Sequence, residues 1–334
     1  MTVTDPVLDI RGLTVAVRDT PVVRDVSLSI PPGGRLGLVG ESGCGKTMTA
    51  LSIMRLVKPP VHITGGEVLL GGTDVLQLDQ KRLNRVRGGR MAMVYQDPMA
   101  ALNPLHRIGD QIAEAVRLHT GASRVDAHAR AVKLLDDVGV ADAARRLRAY
   151  PHEFSGGMRQ RVMIAMALAA DPELVLCDEP TTALDVTTQA RIIDLLMEIS
   201  QERGVAMMLI THDLGVAAGF CDDIAVMYAG RIVERAQVDR LYQRPLHPYS
   251  EALMGASVDL EMPLDQPIPA VGGQPPVPGE MPDDVCPFHP RCPYAQDVCR
   301  RERPPLAPHA GDLVACHFPR DTAEDHVLLE GTRA

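Results

Sequence analysis

Gly40-Glu41-Ser42-Gly43-Cys44-Gly45-Lys46-Thr47 decides the fold. The octet fits G-x-x-x-x-G-K-[ST], in which glycines let backbone N–H groups turn inward around phosphate oxygens. Its flanks lift the match above chance. The apolar run Leu36-Gly37-Leu38-Val39 reads as a strand feeding the loop, and Thr47 to Leu56 reads as a helix stopped by Pro59-Pro60. That helix adds its positive N-terminal pole. Lys46 is placed to neutralise the β- and γ-phosphates and Thr47 to set a hydroxyl on Mg²⁺, so ATP with Mg²⁺ is the expected ligand.

Outward from the loop, Leu8 to Val17 and Val22 to Ile30 are predicted strands, with Val26, Leu28 and Ile30 alternating with polar neighbours. Further buried strands are predicted at Met91 to Tyr95, Leu174 to Cys177, Met207 to Ile210 and Ile224 to Tyr228. Helical patterns cover Ile108 to Leu118, Arg124 to Val138, Met158 to Ala170 and Ala190 to Gln201. Apolar strands alternating with helices predict an α/β fold with a largely parallel sheet covered on both faces. The mostly helical stretch, about 97–170, reads as a subdomain inserted into it.

Several residues fall where chemistry is expected. Leu174-Val175-Leu176-Cys177 is a strand running into Asp178, suited to the magnesium shell, and Glu179, suited to polarise the attacking water as general base. Gln96 and His212 each follow a strand end, where ligands bind in open α/β sheets: Gln96 to reach Mg²⁺, His212 to hold the γ-phosphate and water in line. Ser155-Gly156-Gly157 opens a long helix with a serine cap and bare amides, a second anion site. Since the first loop already covers the phosphates of its own nucleotide, this second site predicts contact with a nucleotide held by another subunit.

The whole chain bounds these readings. At 334 residues it accommodates one large domain and an appendage, and a net charge of -9 argues against a protein that coats duplex nucleic acid. No apolar run reaches the roughly 18–20 residues needed to cross a bilayer, and the N-terminus carries no export pattern, so a cytoplasmic protein is expected. Seven prolines between Pro263 and Pro282 predict an extended arm. Beyond it Cys286, Cys292, Cys299 and Cys316 cluster, whereas Cys44, Cys177 and Cys221 lie singly. Four such thiols suit tetrahedral zinc or an iron–sulfur cluster, and spacings wider than those of common zinc sites lean toward the larger group. His289 and His317 are spare ligand candidates.

The order GESGCGKT, Gln96, FSGGMRQR (154–161), LVLCDEP (174–180), TALD (182–185) and His212 resembles the nucleotide-binding subunit of ABC transporters over about the first 240 residues. The resemblance implies an ABC-type P-loop NTPase domain at 1–240 with an N-terminal antiparallel β subdomain, and a C-terminal extension at 241–334. It implies a Walker A loop at 40–47 with Met48 beside it, a signature at 155–159, a Walker B aspartate at Asp178, a catalytic Glu179, a D-loop Asp185 and a switch His212. QDPMAALNPLHRIGDQI (96–112) and RPLHPYSEALMGA (244–256), with His247 and Tyr249, are similar to dipeptide and oligopeptide importers, as is the cysteine tail. That narrower resemblance implies a 4Fe–4S cluster on Cys286, Cys292, Cys299 and Cys316. It also implies a homologous but distinct second ATPase subunit, two transmembrane permeases, an extracytoplasmic peptide-binding protein and a place on the cytoplasmic face of the membrane. Importers for nickel or other small solutes share parts of the pattern. Two departures stand out: Val17 occupies the place of an adenine-stacking aromatic, and the signature reads SGGMR rather than SGGQ. A soluble ABC protein acting on nucleic acid or ribosomes is the competing reading; such proteins usually carry two nucleotide domains, and this chain has one. A metal-regulated P-loop enzyme leaves the SGGMRQR segment without a role.

Overall fold

The computed structural model describes residues 5–182, 184–256 and 271–320. In chain order the strands and helices are β1 (Leu8–Val17), β2 (Thr20–Ile30), β3 (Arg35–Val39), α1 (Lys46–Ile53), β4 (Val61–Leu70), β5 (Thr73–Asp74), α2 (Gln80–Val86) and β6 (Met91–Val94). Next come α3 (Pro98–Ala101), α4 (Ile108–Thr120), α5 (Arg124–Asp137), α6 (Ala143–Arg146), α7 (Gly156–Ala167), β7 (Leu174–Asp178), α8 (Val186–Arg203), β8 (Ala206–Thr211) and α9 (Leu214–Phe220). The chain continues through β9 (Asp223–Tyr228), β10 (Arg231–Gln237), α10 (Val238–Gln243), α11 (Pro248–Gly255), β11 (Ala307–His309) and β12 (Asp312–Val314).

Two sheets carry the fold. β2-β1-β4-β5 form an antiparallel sheet, the expected N-terminal β subdomain. The larger sheet runs β11-β12-β10-β9-β3-β8-β7-β6; its five strands from β9 to β6 are parallel, as the alternating pattern predicts. Side chains alternate across that sheet because a strand repeats every two residues. On β7, Leu174 and Leu176 pack with Leu36, Leu38 and the β1–β2 side chains, while Val175 and Cys177 pack with the helical side of the molecule. Both faces are therefore apolar, and the run reads as uninterrupted hydrophobicity.

Helices α3 to α7 lie between β6 and β7 and form the predicted insertion. Its core is built from Ile108, Ile112 and Val116 of α4 with Ala127, Ala131, Leu134 and Leu135 of α5, a 3.6-residue periodicity. Ser123 caps α5 by accepting the Asp126 N–H at 3.2 Å, and Gly121 closes α4 at φ 72°.

The extension is joined to the cassette by its backbone. β12 pairs antiparallel with β10, Glu234 opposite Val314 and Arg235 opposite Leu313, so chain from both sides of residue 240 shares one sheet. Residues 271–282 of the proline-rich arm carry no helix or strand. They run beside the phosphate loop: Pro275, Pro276 and Pro278 share a cavity of about 250 Å³ with Glu41, Ser42 and Gly43. The remainder of the arm, 263–270, lies outside the described residues.

Candidate functional site

The phosphate loop sits at the carboxyl end of β3 and feeds directly into α1. Gly40 adopts φ 152°, and a Cβ there would stand 2.2 Å from the Met227 carbonyl oxygen, so β9 approaches too closely for any side chain. Lys46, 5% exposed, folds back over the loop; its Nζ donates to Gly40 O at 2.7 Å and Glu41 O at 3.0 Å. Cys44 is buried and its thiol is held protonated by burial, which outweighs the pull of Lys46.

Thr47 Oγ1 donates to Asp178 Oδ1 at 3.0 Å, bringing the hydroxyl and carboxylate expected of a magnesium shell to one point. Burial and the neighbouring Glu179 raise the Asp178 pKa, against the Thr47 bond and the Lys46 charge. A carboxylate with a hydroxyl in the mouth of a phosphate loop is a hard-oxygen donor set, which fits Mg²⁺.

Glu179 follows β7 at φ 46°, a left-handed conformation that a non-glycine residue rarely takes, and its N–H donates to Ile210 O at 2.9 Å. The turn aims the carboxylate into a polar cluster. Gln96 Nε2 and Thr182 Oγ1 each donate to Glu179 Oε2 at 2.9 Å, and His212 Nδ1 lies 3.1 Å from Oε1. Burial works to raise the Glu179 pKa; the bonds from His212 and Thr182 and the charges of His212 and Lys46 win, and the carboxylate sits below its ordinary range. It is ionised at neutral pH, the state a proton acceptor needs.

A cavity of about 400 Å³ opens over the loop, and Val17, Ser42, Gly43, Lys46, Thr47, Met48, Gln96 and Glu179 line it. Val17 thus lies on this cavity and presents an aliphatic side chain to it. Ser155, Gly156, Gly157 and Asp185 do not line it. Ser155 caps α7, accepting the Met158 N–H at 3.4 Å. Asp185 caps α8, accepting from Thr188 N at 3.0 Å and Thr188 Oγ1 at 2.7 Å. The two helix starts touch: a Cβ on Gly157 would stand 2.6 Å from Thr188 Cγ2. Thr182 and Thr188 carry no individual signal in the sequence beyond lying in and after TALD.

Cys286, Cys292, Cys299 and Cys316 converge on one pocket of about 20 Å³, walled also by His247, His289 and His317. Burial, with the mutual charge of neighbouring thiols, pushes the pKa of Cys292 to about 11 and of Cys316 to about 12. His289 Nδ1 lies 2.8 Å from Cys286 O and His317 Nε2 2.9 Å from Glu302 O. The thiols are soft donors of the right kind for a metal centre. Among the described residues, however, no three His, Cys, Asp or Glu side chains stand in an arrangement that could hold a metal ion. The expected 4Fe–4S or zinc ligation is therefore not formed: the four thiols line one pocket but make no coordination sphere.

A strand feeding a phosphate loop into a helix, with an acidic strand end beside it, is the arrangement of a P-loop NTPase. The ABC transporter family matches residues 23–182, and the oligopeptide/dipeptide transporter C-terminal region matches residues 233–299. A probable peptide ABC transporter ATP-binding protein of Sinorhizobium fredii is 48% identical over 318 residues, covering 93% of this chain and 95% of that protein. The oligopeptide transport ATP-binding protein OppD of Salmonella typhimurium is 44% identical over 301 residues, covering 90% of this chain and 89% of that protein. Among solved structures, the dimeric ATP-binding cassette MJ0796 bound to ADP and Pi is similar at TM-score 0.62 and 28% identity, covering 69% of this chain and 98% of that one. This chain belongs to the ATP-binding subunits of the oligopeptide/dipeptide ABC transporter family.

Proposed function

We propose that the chain hydrolyses ATP at a dimer interface to drive uptake of dipeptides or oligopeptides through membrane partners. The observation that carries this reading is the continuity of likeness through cassette and extension, at 44% identity with OppD over 301 residues. No helix among the described residues is long and apolar enough to cross a membrane, so the solute path belongs to other chains. Two permeases, a homologous but distinct second ATPase subunit and an extracytoplasmic peptide-binding protein complete the assembly, with this chain on the cytoplasmic face.

Thr47 and Asp178, with Gln96 on the same cavity, would hold Mg²⁺, which would supply charge neutralisation at the β- and γ-phosphates. Lys46 binds the same oxygens, exchanging its bonds to Gly40 O and Glu41 O for phosphate. Glu179 accepts the proton of the attacking water, and His212 and Gln96 hold its carboxylate in place. The separation of Ser155-Gly156-Gly157 from this chain's own nucleotide cavity supports completion of each site by a partner's α7. A 4Fe–4S cluster with a structural role is the group that the likeness to peptide importers implies for the tail; Cys286, Cys292, Cys299 and Cys316 would supply its soft donors, and the pocket would have to rearrange to form that ligand set.

Native-membrane copurification tests the transporter reading: permease chains are expected with this subunit, and recovery with DNA or ribosomes alone would reject it. Anaerobic purification with iron, sulfide and zinc assays tests the pocket, where zinc without iron defeats the cluster.

A further inference from the structure

We propose that Arg291 is a positioning residue through which the cysteine-bearing extension sets the nucleotide affinity of the phosphate loop. Arg291 Nη1 and Nη2 donate to Glu41 Oε2 and Oε1 at 2.7 and 2.9 Å, a two-pronged pair with the second residue of the loop. The Arg291 side chain is 4% exposed. It is fixed on its other edges: Nε donates to Gly272 O at 2.7 Å, Nη2 to Val271 O at 3.0 Å, and the guanidinium lies 5.8 Å from the Tyr228 ring centre. A fork held this way has one orientation available, so it dictates where the carboxylate goes.

Glu41 is gripped at three points. Arg291 takes its carboxylate, its N–H donates to Tyr249 OH at 2.9 Å, and its carbonyl accepts from Lys46 Nζ at 3.0 Å. The last is the ammonium that must serve the phosphates. An unpaired carboxylate in a phosphate loop would repel a polyanion, and in a partly buried site that repulsion is weakly screened. Arg291 cancels the charge and keeps the side chain turned toward the extension. Its chain neighbour Cys292 lines the thiol pocket, so a displacement of that wall reaches the loop through a single residue.

ATP binding by the purified full-length chain tests this, and it stands whatever solute the transporter carries. With Mg²⁺ present and wild type as control, Arg291→Ala is expected to weaken ATP binding about tenfold, roughly 1.4 kcal/mol. Glu41→Gln in that background should recover binding to within about threefold of wild type, because the repelling charge has gone. A residue that merely held the extension in place would show no such recovery. Thermal unfolding identifies variants that fail to fold; should Arg291→Ala do so, Arg291→Gln and the Arg291→Gln/Glu41→Gln pair carry the same comparison. Wild-type ATP affinity in a folded Arg291 variant, or no recovery on neutralising Glu41, would overturn the proposal.

Discussion

His212 Nδ1 lies 3.1 Å from Glu179 Oε1, while Gln96 and Thr182 occupy the other carboxylate oxygen. The glutamate is held by three side chains from three different segments and by its own left-handed backbone. Such a carboxylate is oriented before substrate arrives. Glu179→Gln keeps the shape and removes the proton acceptor, so turnover should fall by at least about a hundredfold. ATP binding, measured by equilibrium titration, should persist. His212→Ala acts differently: without the imidazole the Glu179 pKa moves up, and the carboxylate is lost at a higher pH. The acidic limb of the kcat profile should therefore shift toward neutrality, and an unmoved limb would remove His212 from this role.

Gly156 and Gly157 look equivalent in sequence but are not. A methyl on Gly156 would meet Leu184 Cδ2 at 3.6 Å, an ordinary contact, whereas one on Gly157 would overlap Thr188 Cγ2 at 2.6 Å. Thr188 cannot turn away freely because its hydroxyl is bound to Asp185 at 2.7 Å. Gly157→Ala should cost about 1–3 kcal/mol, the usual range for overpacking, and Gly156→Ala much less. Thr188→Ser removes the clashing methyl and keeps the hydroxyl, so it should restore the Gly157→Ala midpoint in thermal unfolding. Failure of that rescue would show that the α7–α8 contact is not what limits the variant.

The sequence makes the parallel sheet legible because both of its faces are buried, which leaves apolar runs at β3, β7 and β8. Gly40, Lys46, Thr47, Asp178 and Glu179 are legible for a related reason: their geometry is local to strand ends. β4 escapes such a reading. Gly65 and Gly66 interrupt its alternation, and the structure needs them, since a Cβ on Gly66 would stand 2.6 Å from the Leu13 backbone where the β1–β4 register shifts. Strands β11 and β12 are three residues each, too short for any period to emerge, and β12 draws its place in the sheet from β10 while β11 pairs with β12. Arg291 is invisible for a third reason: its partner Glu41 lies 250 positions away.

Glu234 on β10 is fully buried and accepts the N–H groups of Leu246 at 2.8 Å and His247 at 2.8 Å. Burial raises its pKa to about 7, only partly offset by those bonds. The folded state thus holds a proton that the unfolded state has already released between the ordinary 4.5 and about 7. The contribution of Glu234 to stability falls as pH rises through that window, by up to roughly 3 kcal/mol. Glu234→Gln cannot titrate, so its unfolding midpoint should drop less than that of wild type between pH 5 and pH 8. Parallel curves for the two proteins would mean that Glu234 is ionised throughout.

Phe288 joins the extension to the cassette. It is 1% exposed, meets Tyr228 edge-on at 5.3 Å and 87°, and packs against Tyr249 at 5.4 Å. Tyr228 ends β9 of the core sheet and Tyr249 opens α11, so one ring closes a three-way aromatic junction. Together with the β10–β12 pairing, this junction makes the extension part of the cassette's own core, and the wild-type chain should unfold in a single transition. Phe288→Ala should cost about 3–5 kcal/mol, the range for emptying a buried aromatic site. Because the pairing of β10 with β12 spans only two residue pairs, the loss should appear first as local opening. Proteolysis within 271–320 should then precede cleavage of the cassette. Equal protease resistance in both regions, with an unchanged midpoint, would show that the junction does not hold the two together.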